Sequence, residues 1–151
     1  MKSIFLTIIS FFMLFSCNNN DDSFTPQNIT PILIGKGVLH GNGAENIPQQ
    51  NFVITNQTQF NDLMSIMNIS NNVSNTFTET TIDFNNFRVI AVFSNIKLYG
   101  GSSIDITNVV ENSDNITVTI QNLLPEGDNP VINQPYHIVK IQNTTKPIVF
   151  Q

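Results

Sequence analysis

The spacing of apolar residues changes along the chain, and each change marks an element. Ile4 to Phe15 is an apolar run broken only by Thr7 and Ser10. Ile32-Leu33-Ile34 and Val38-Leu39 flank Gly35-Lys36-Gly37, which predicts a first strand with a bulge or bend at the glycines. Gly41-Asn42-Gly43 reads as a turn and Asn51 to Thr55 as a short second strand. Phe60, Leu63, Met64 and Met67 then fall at i, i+3, i+4 and i+7, the stripe of one helix near residues 56–67. Thr55 or Asn56 is placed to cap it. Asn68 to Thr81 is an Asn/Ser/Thr stretch and reads as a mobile loop.

The second half carries strand patterns. Phe87 to Phe93 is apolar on both faces, as a central, doubly covered strand should be. Gly100-Gly101 breaks the chain before Ser103 to Val110, where Ile104 and Ile106 alternate with Asp105 and Thr107. Asn112 to Asn115 is a turn. Ile116, Val118 and Ile120 alternate with Thr117, Thr119 and Gln121, a clear period of two. Leu123 to Gln134 is a loop containing Pro125, Gly127 and Pro130, Tyr136 to Ile141 a strand, and Ile148-Val149-Phe150 a last one. One helix followed by hairpin-linked strands predicts an α+β fold, β-rich, with a mainly antiparallel sheet. No internal repeat is visible.

The first apolar run sets an address. Twelve residues are too few for a membrane helix, which needs about 20, but suit the apolar region of a signal peptide, about 7–15. Lys2 gives the run its positive start. It ends in Leu14-Phe15-Ser16-Cys17, which resembles a bacterial lipobox. That likeness implies a lipoprotein signal peptide over 1–16, cleavage before Cys17 and lipidation of Cys17, the only cysteine, with palmitate among its acyl chains. Several acyl chains make a stable anchor. Residues 17–30 form a flexible tether, and 31–151 a single domain. Asp21-Asp22 resembles an acidic signal for the outer surface, so the expected location is the outer membrane, lipid-anchored and surface-exposed.

Composition narrows the chemistry. Charged residues make up 11% of the chain, under half the usual share, while Asn alone supplies 23 of 151 residues. Beyond the leader the 11 acids face 5 bases, a net charge of −6. Nucleic acid is excluded as a partner, because phosphate binding needs clustered Lys and Arg. A basic protein partner would be favoured on encounter.

Several pieces taken in order resemble the C-terminal domain family of the protease-complex subunit PrcB. They are the strand and helix of Phe52–Met67, Ile82-Asp83-Phe84, Val89–Phe93, Tyr99-Gly100-Gly101-Ser102-Ser103-Ile104-Asp105-Ile106, Pro135-Tyr136-His137-Ile138-Val139-Lys140-Ile141, and Val149-Phe150. The resemblance covers most of the chain beyond the leader. It implies association with a secreted or envelope protease, which the best-known member helps to mature or stay stable. Two departures stand out: Leu98-Tyr99 precede the glycine pair where the family often has Thr or Pro, and Ser102-Ser103 follow it where an aromatic is common.

The glycine pair has two readings. Glycine permits positive φ and close backbone approach, so a pair between two strong strands is most simply a hairpin turn. As a contact site it would present Tyr99, Gly100, Gly101 and Ser102, with Tyr136 beside them, to a protein partner.

Catalysis finds little support. A nucleophile needs an adjacent base and an orienting group. The chain has two histidines, His40 near a strand end and His137 inside a strand, and no Gly-x-Ser-x-Gly elbow. Asp105, Glu111, Asp114, Glu126 and Asp128 offer oxygen ligands, but Pro125–Asn129 lacks the spacing of a calcium loop. No catalytic residue, metal or cofactor is expected, and the Asn-x-Ser/Thr triplets follow from composition. The reading is a non-enzymatic envelope lipoprotein that binds a protein, with a β-scaffold protease inhibitor or a structural, adhesive surface protein as alternatives.

Overall fold

The computed structural model describes residues 24–151. The apolar run, Cys17 and Asp21-Asp22 lie outside the described residues. The elements in order are β1 (Gln27–Asn28), β2 (Ile32–Leu39), β3 (Gln50–Ile54), α1 (Gln57–Met67), a short 3-10 turn (Val73–Thr76), β4 (Phe87–Phe93), β5 (Asp105–Glu111), β6 (Ile116–Gln121), β7 (Gln134–Gln142) and β8 (Ile148–Phe150). The fold is α+β and β-rich, with one α-helix among the described residues. No helix among them is long and apolar enough to cross a membrane.

The strands form two four-stranded sheets, ordered β1-β5-β6-β8 and β2-β7-β4-β3. Neighbours run antiparallel except β6 and β8. The alternation along β4 explains how they stack. Val89, Ala91 and Phe93 face α1 and pack with Phe60, Leu63, Met67, Ile34 and Ile138. Ile90 and Val92 face the other sheet and pack with Val109, Ile116, Val118, Val139 and Ile141. The layers are therefore helix, sheet, sheet, and β4 is the doubly covered central strand its apolar run predicts. Each large apolar side chain fully buried there contributes about 1.5–3 kcal/mol.

The helix starts where its cap allows. Asn56 Oδ1 accepts from the Gln59 N–H at 2.9 Å, and the Asn68 N–H donates to the Met64 carbonyl at 2.9 Å at the other end. The stretch from Asn68 to Thr81 is docked on β2. The Thr78 N–H donates to the Ile34 carbonyl and its hydroxyl to the Leu33 carbonyl, both at 2.8 Å. The register of β2 slips between Leu33 and Gly35, the bulge expected at the glycines. A Cβ on Gly35 would lie 2.5 Å from the Phe77 ring, so the glycine makes room for the docked loop.

Two expectations are corrected. Gly100-Gly101 is not a hairpin turn: β4 and β5 belong to different sheets, and residues 94–104 cross from one to the other. The end of the tether is already part of the domain. Gln27 and Asn28 pair with Glu111 and Val110, and Ile29 packs against the core between the sheets.

Candidate functional site

Two crossovers meet at one end of the sandwich. Residues 94–104 leave β4 for β5, and residues 122–133 return from β6 to β7. Backbone bonds join them side by side. Lys97 and Asn133 exchange N–H to carbonyl bonds at 2.7 and 3.0 Å. The Gly100 N–H donates to the Asn129 carbonyl at 2.9 Å, and the Gly127 N–H to the Gly100 carbonyl at 2.7 Å. Asn133 Nδ2 donates to the Tyr99 and Val131 carbonyls at 2.9 and 2.8 Å, and Lys97 Nζ pairs with Glu126 at 3.3 Å.

The second glycine of the pair serves this packing. Gly101 has φ +95°, and a Cβ there would sit 3.4 Å from the Gly127 nitrogen. Glycine is favoured because the backbone is left-handed and a second loop lies against it. The paired loops form a platform that leaves apolar side chains in solvent. Leu98 is 63% exposed, Leu123 58%, Leu124 57% and Tyr99 44%.

Of the five residues assigned to a contact on sequence, three lie on this platform: Tyr99, Gly100 and Gly101. Ser102 is buried, and its hydroxyl has no hydrogen-bond partner among the described residues. Tyr136 is 3% exposed in the helix-side core, its ring near Phe93 and Phe77. Burial pushes its phenol up, against a Thr76 hydrogen bond that lowers it. Tyr136 alternates with His137 along β7, and that alternation turns it toward α1, away from any partner. Leu123 and Leu124, exposed on the platform, were not among the residues assigned to a contact on sequence. The signal was available, because adjacent leucines inside a Pro/Gly loop have no strand face to fill.

Beneath the platform, four polar side chains meet between the sheets. Lys36 of β2 contacts Asp105 of β5, and the Ser103 hydroxyl donates to the same carboxylate. Asp105 Oδ2 also accepts from the Leu123 N–H at 3.3 Å, and Ser103 Oγ from the Leu124 N–H at 3.1 Å. The Ile106 N–H donates to His137 Nδ1 at 2.9 Å. Asp105 alternates with isoleucines as a solvent-facing residue would, yet it is buried. Burial pushes its carboxyl up, but hydrogen bonds from Lys36, Ser103 and the Leu123 N–H, with the Lys36 charge, outweigh it and hold the group below 3.8. Serine, aspartate and histidine are thus close, but Ser103 bonds the carboxylate and His137 holds a backbone N–H. This connectivity ties the three side chains to the loop and strand backbone, with no Ser103–His137 hydrogen bond among the described residues.

The other sequence candidates stay apart. His40 is exposed just past β2. Glu111 pairs with Lys146 at 2.8 Å and Glu126 with Lys97. Among the described residues no three His, Cys, Asp or Glu side chains are grouped to hold a metal ion. No family model, curated protein or solved structure matches this chain.

Proposed function

We propose that this chain is a non-enzymatic protein-binding module, lipid-anchored at Cys17 in the cell envelope, with the paired-loop platform as its contact surface. The observation that carries the reading is the exposure of Leu98, Tyr99, Leu123 and Leu124 on loops fastened to each other by backbone bonds. Apolar side chains on a fixed backbone lose little freedom on binding, so more of the contact energy appears as affinity. The resemblance to the PrcB C-terminal domain family supports a secreted or envelope protease as the partner.

Charge points to the partner's character. Each described lysine contacts its own acid: Lys36 with Asp105, Lys97 with Glu126, Lys140 with Glu79 and Lys146 with Glu111. Arg88 donates to Asn143 Oδ1 and to the Thr144 and Lys146 carbonyls. Glu45, Asp62, Asp83, Asp114 and Asp128 have no such cation among the described residues. A partner with a basic rim around an apolar centre suits that surface.

The test is co-purification of the full-length protein from cross-linked cells, beside a Leu98→Ser, Leu124→Ser variant. Recovery of a protease with the parent and its loss with the variant is the expected result. Equal recovery would remove the platform from the reading. The inhibitor alternative rests on the same two loops acting as a wedge, and a direct inhibition assay on the recovered protease separates the two.

A further inference from the structure

The seam under the platform holds a titratable group that the proposed contact leaves unused. His137 lies on β7 with its imidazole turned to β5, where the Ile106 N–H donates to Nδ1 at 2.9 Å. On its outer side β5 is paired with β1 only at Val110 and Glu111. Among the described residues Ile106 has no strand partner on that side, and its N–H bonds the imidazole instead. A backbone N–H can only donate, so Nδ1 must be bare and His137 neutral, with its proton on Nε2. A proton on Nδ1 would set two donors against each other.

The next residue along the chain reaches the platform. Asp105 accepts from the Leu123 N–H, and Ser103, bonded to Asp105, accepts from the Leu124 N–H. The backbone that His137 holds is therefore continuous with the side chains that hold Leu123 and Leu124. We propose that His137 is an acid-sensitive joint: neutral, it fastens β5 to β7 and keeps the Leu123–Leu124 ledge in place, and on taking a proton it lets both loosen.

The surroundings set the direction. The charged groups facing His137 are Lys36 from β2 and Asp105 from β5, while β4 presents Val92 opposite it. Burial lowers the imidazole below 6.5, Lys36 acts the same way, and Asp105 opposes them. The loosened form takes a proton more readily than the fastened one. The joint is thus intact at neutral pH and weakens as pH falls below about 6.5. As control of binding, the inference rests on the platform being the contact surface; as chemistry of the seam, it does not.

The experiment is an NMR titration of the full-length protein in detergent, from pH 7.5 to 4.5, with amide exchange read at each step. At neutral pH His137 should show the Nε2–H form. Ile106, Leu123 and Leu124 amides should exchange at least tenfold faster, after correction for intrinsic rates, once His137 has titrated, while Val92 stays protected. A His137→Asn variant places an acceptor oxygen near the Nδ1 position without a titration in this range. It should keep all three amides protected across the same range. An Nδ1–H form at neutral pH, or a titrating His137 with those amides unmoved, would overturn the proposal. So would the same acid loss in His137→Asn; should that variant not fold, the titration of the parent decides. None of these readouts uses a partner, so failure of the joint and failure of the contact reading are separate results.

Discussion

Phe93→Ala tests the layer arrangement at its most buried point. Phe93 ends β4 with no exposed surface, its ring edge-on to Phe52 at 5.8 Å and tilted to Tyr136 at 6.2 Å. Truncation loses the transfer energy of the ring and leaves a cavity, together about 3–5 kcal/mol. Aromatic pairs contribute about 0.5–1.5 kcal/mol beyond buried area, which places the expected loss near the top of that range, about 4–5 kcal/mol. A domain of ordinary stability has only about 5–15 kcal/mol in total, so the variant should be marginal. Urea unfolding followed by far-UV circular dichroism suits a chain without tryptophan. With a slope of about 1–3 kcal/mol per molar urea, the midpoint should fall by more than about 1 M at unchanged slope. Phe87→Ala is the internal control. Phe87 begins the same strand half-buried, with Lys140 Nζ 4.4 Å above its ring, and should lose less than half as much. A Phe93→Ala loss below about 1.5 kcal/mol, or one no greater than that of Phe87→Ala, would mean that β4 is not covered on both faces and that the stacking of helix on sheet is wrong.

Tyr99→Ala should leave stability within about 0.5 kcal/mol, because only its backbone carbonyl is bonded, while partner recovery in cross-linking falls at least tenfold; unequal melting would move Tyr99 from contact to support. Gly35→Ala should cost about 1–3 kcal/mol in urea unfolding by overpacking against Phe77, and Phe77→Leu in the same chain should recover part of it; additive losses would show that the docked loop is not what the glycine accommodates. Asp105 is held below 3.8 in the fold, so the unfolded chain binds its proton first as pH falls. Its stabilisation is present above about pH 4 and disappears below it, and Asp105→Asn should flatten that acid limb of a stability-against-pH curve; an unchanged limb would assign it to other carboxyls.

The helix and the strands from β2 to β8 were legible because each has an apolar pattern the sequence displays, whereas the two-residue β1 and the 3-10 turn have none. Phe60, Leu63 and Met67 mark the helix, and Ile116 and Val118 mark β6, since one face of each must be covered. Which sheet a strand joins was not legible. Alternation along Phe87–Phe93 tells that both faces are covered, but not that α1 covers one and β5–β6 the other. Hence the glycine pair between β4 and β5 read as a hairpin when it is a crossover. The burial of Asp105 was not legible for a related reason. Its alternation with Ile104 and Ile106 says only that it faces away from them, and the Lys36 that makes its burial tolerable lies 69 positions away in the chain. Tyr136 shows the reverse case: an aromatic between Pro135 and His137 was assigned to a contact, and strand alternation put it in the core.

The asparagine bias has a structural counterpart in how turns and ends are fastened. Asn56 caps α1; Asn112 Nδ2 donates to Asn115 Oδ1 and Thr117 Oγ1 across the β5–β6 turn; Asn133 binds two carbonyls of the platform; Asn143 Oδ1 receives Arg88. An amide both donates and accepts, so it closes a turn without adding charge. With asparagine doing this, five bases suffice for the domain, and all five are engaged at joints: Lys36 between the sheets, Lys97 on the platform, Arg88 and Lys146 around the β7–β8 connection, Lys140 over Phe87. Among the described residues the exterior that remains is rich in neutral amide and acid without a cation, and three of its most exposed apolar side chains, Leu98, Leu123 and Leu124, lie on the paired loops. Such a surface repels acidic polymers and other copies of itself at long range, while the same field draws in a basic surface. On the proposed reading, charge selects what arrives, and the fastened apolar ledge of Leu98, Tyr99, Leu123 and Leu124 decides what stays.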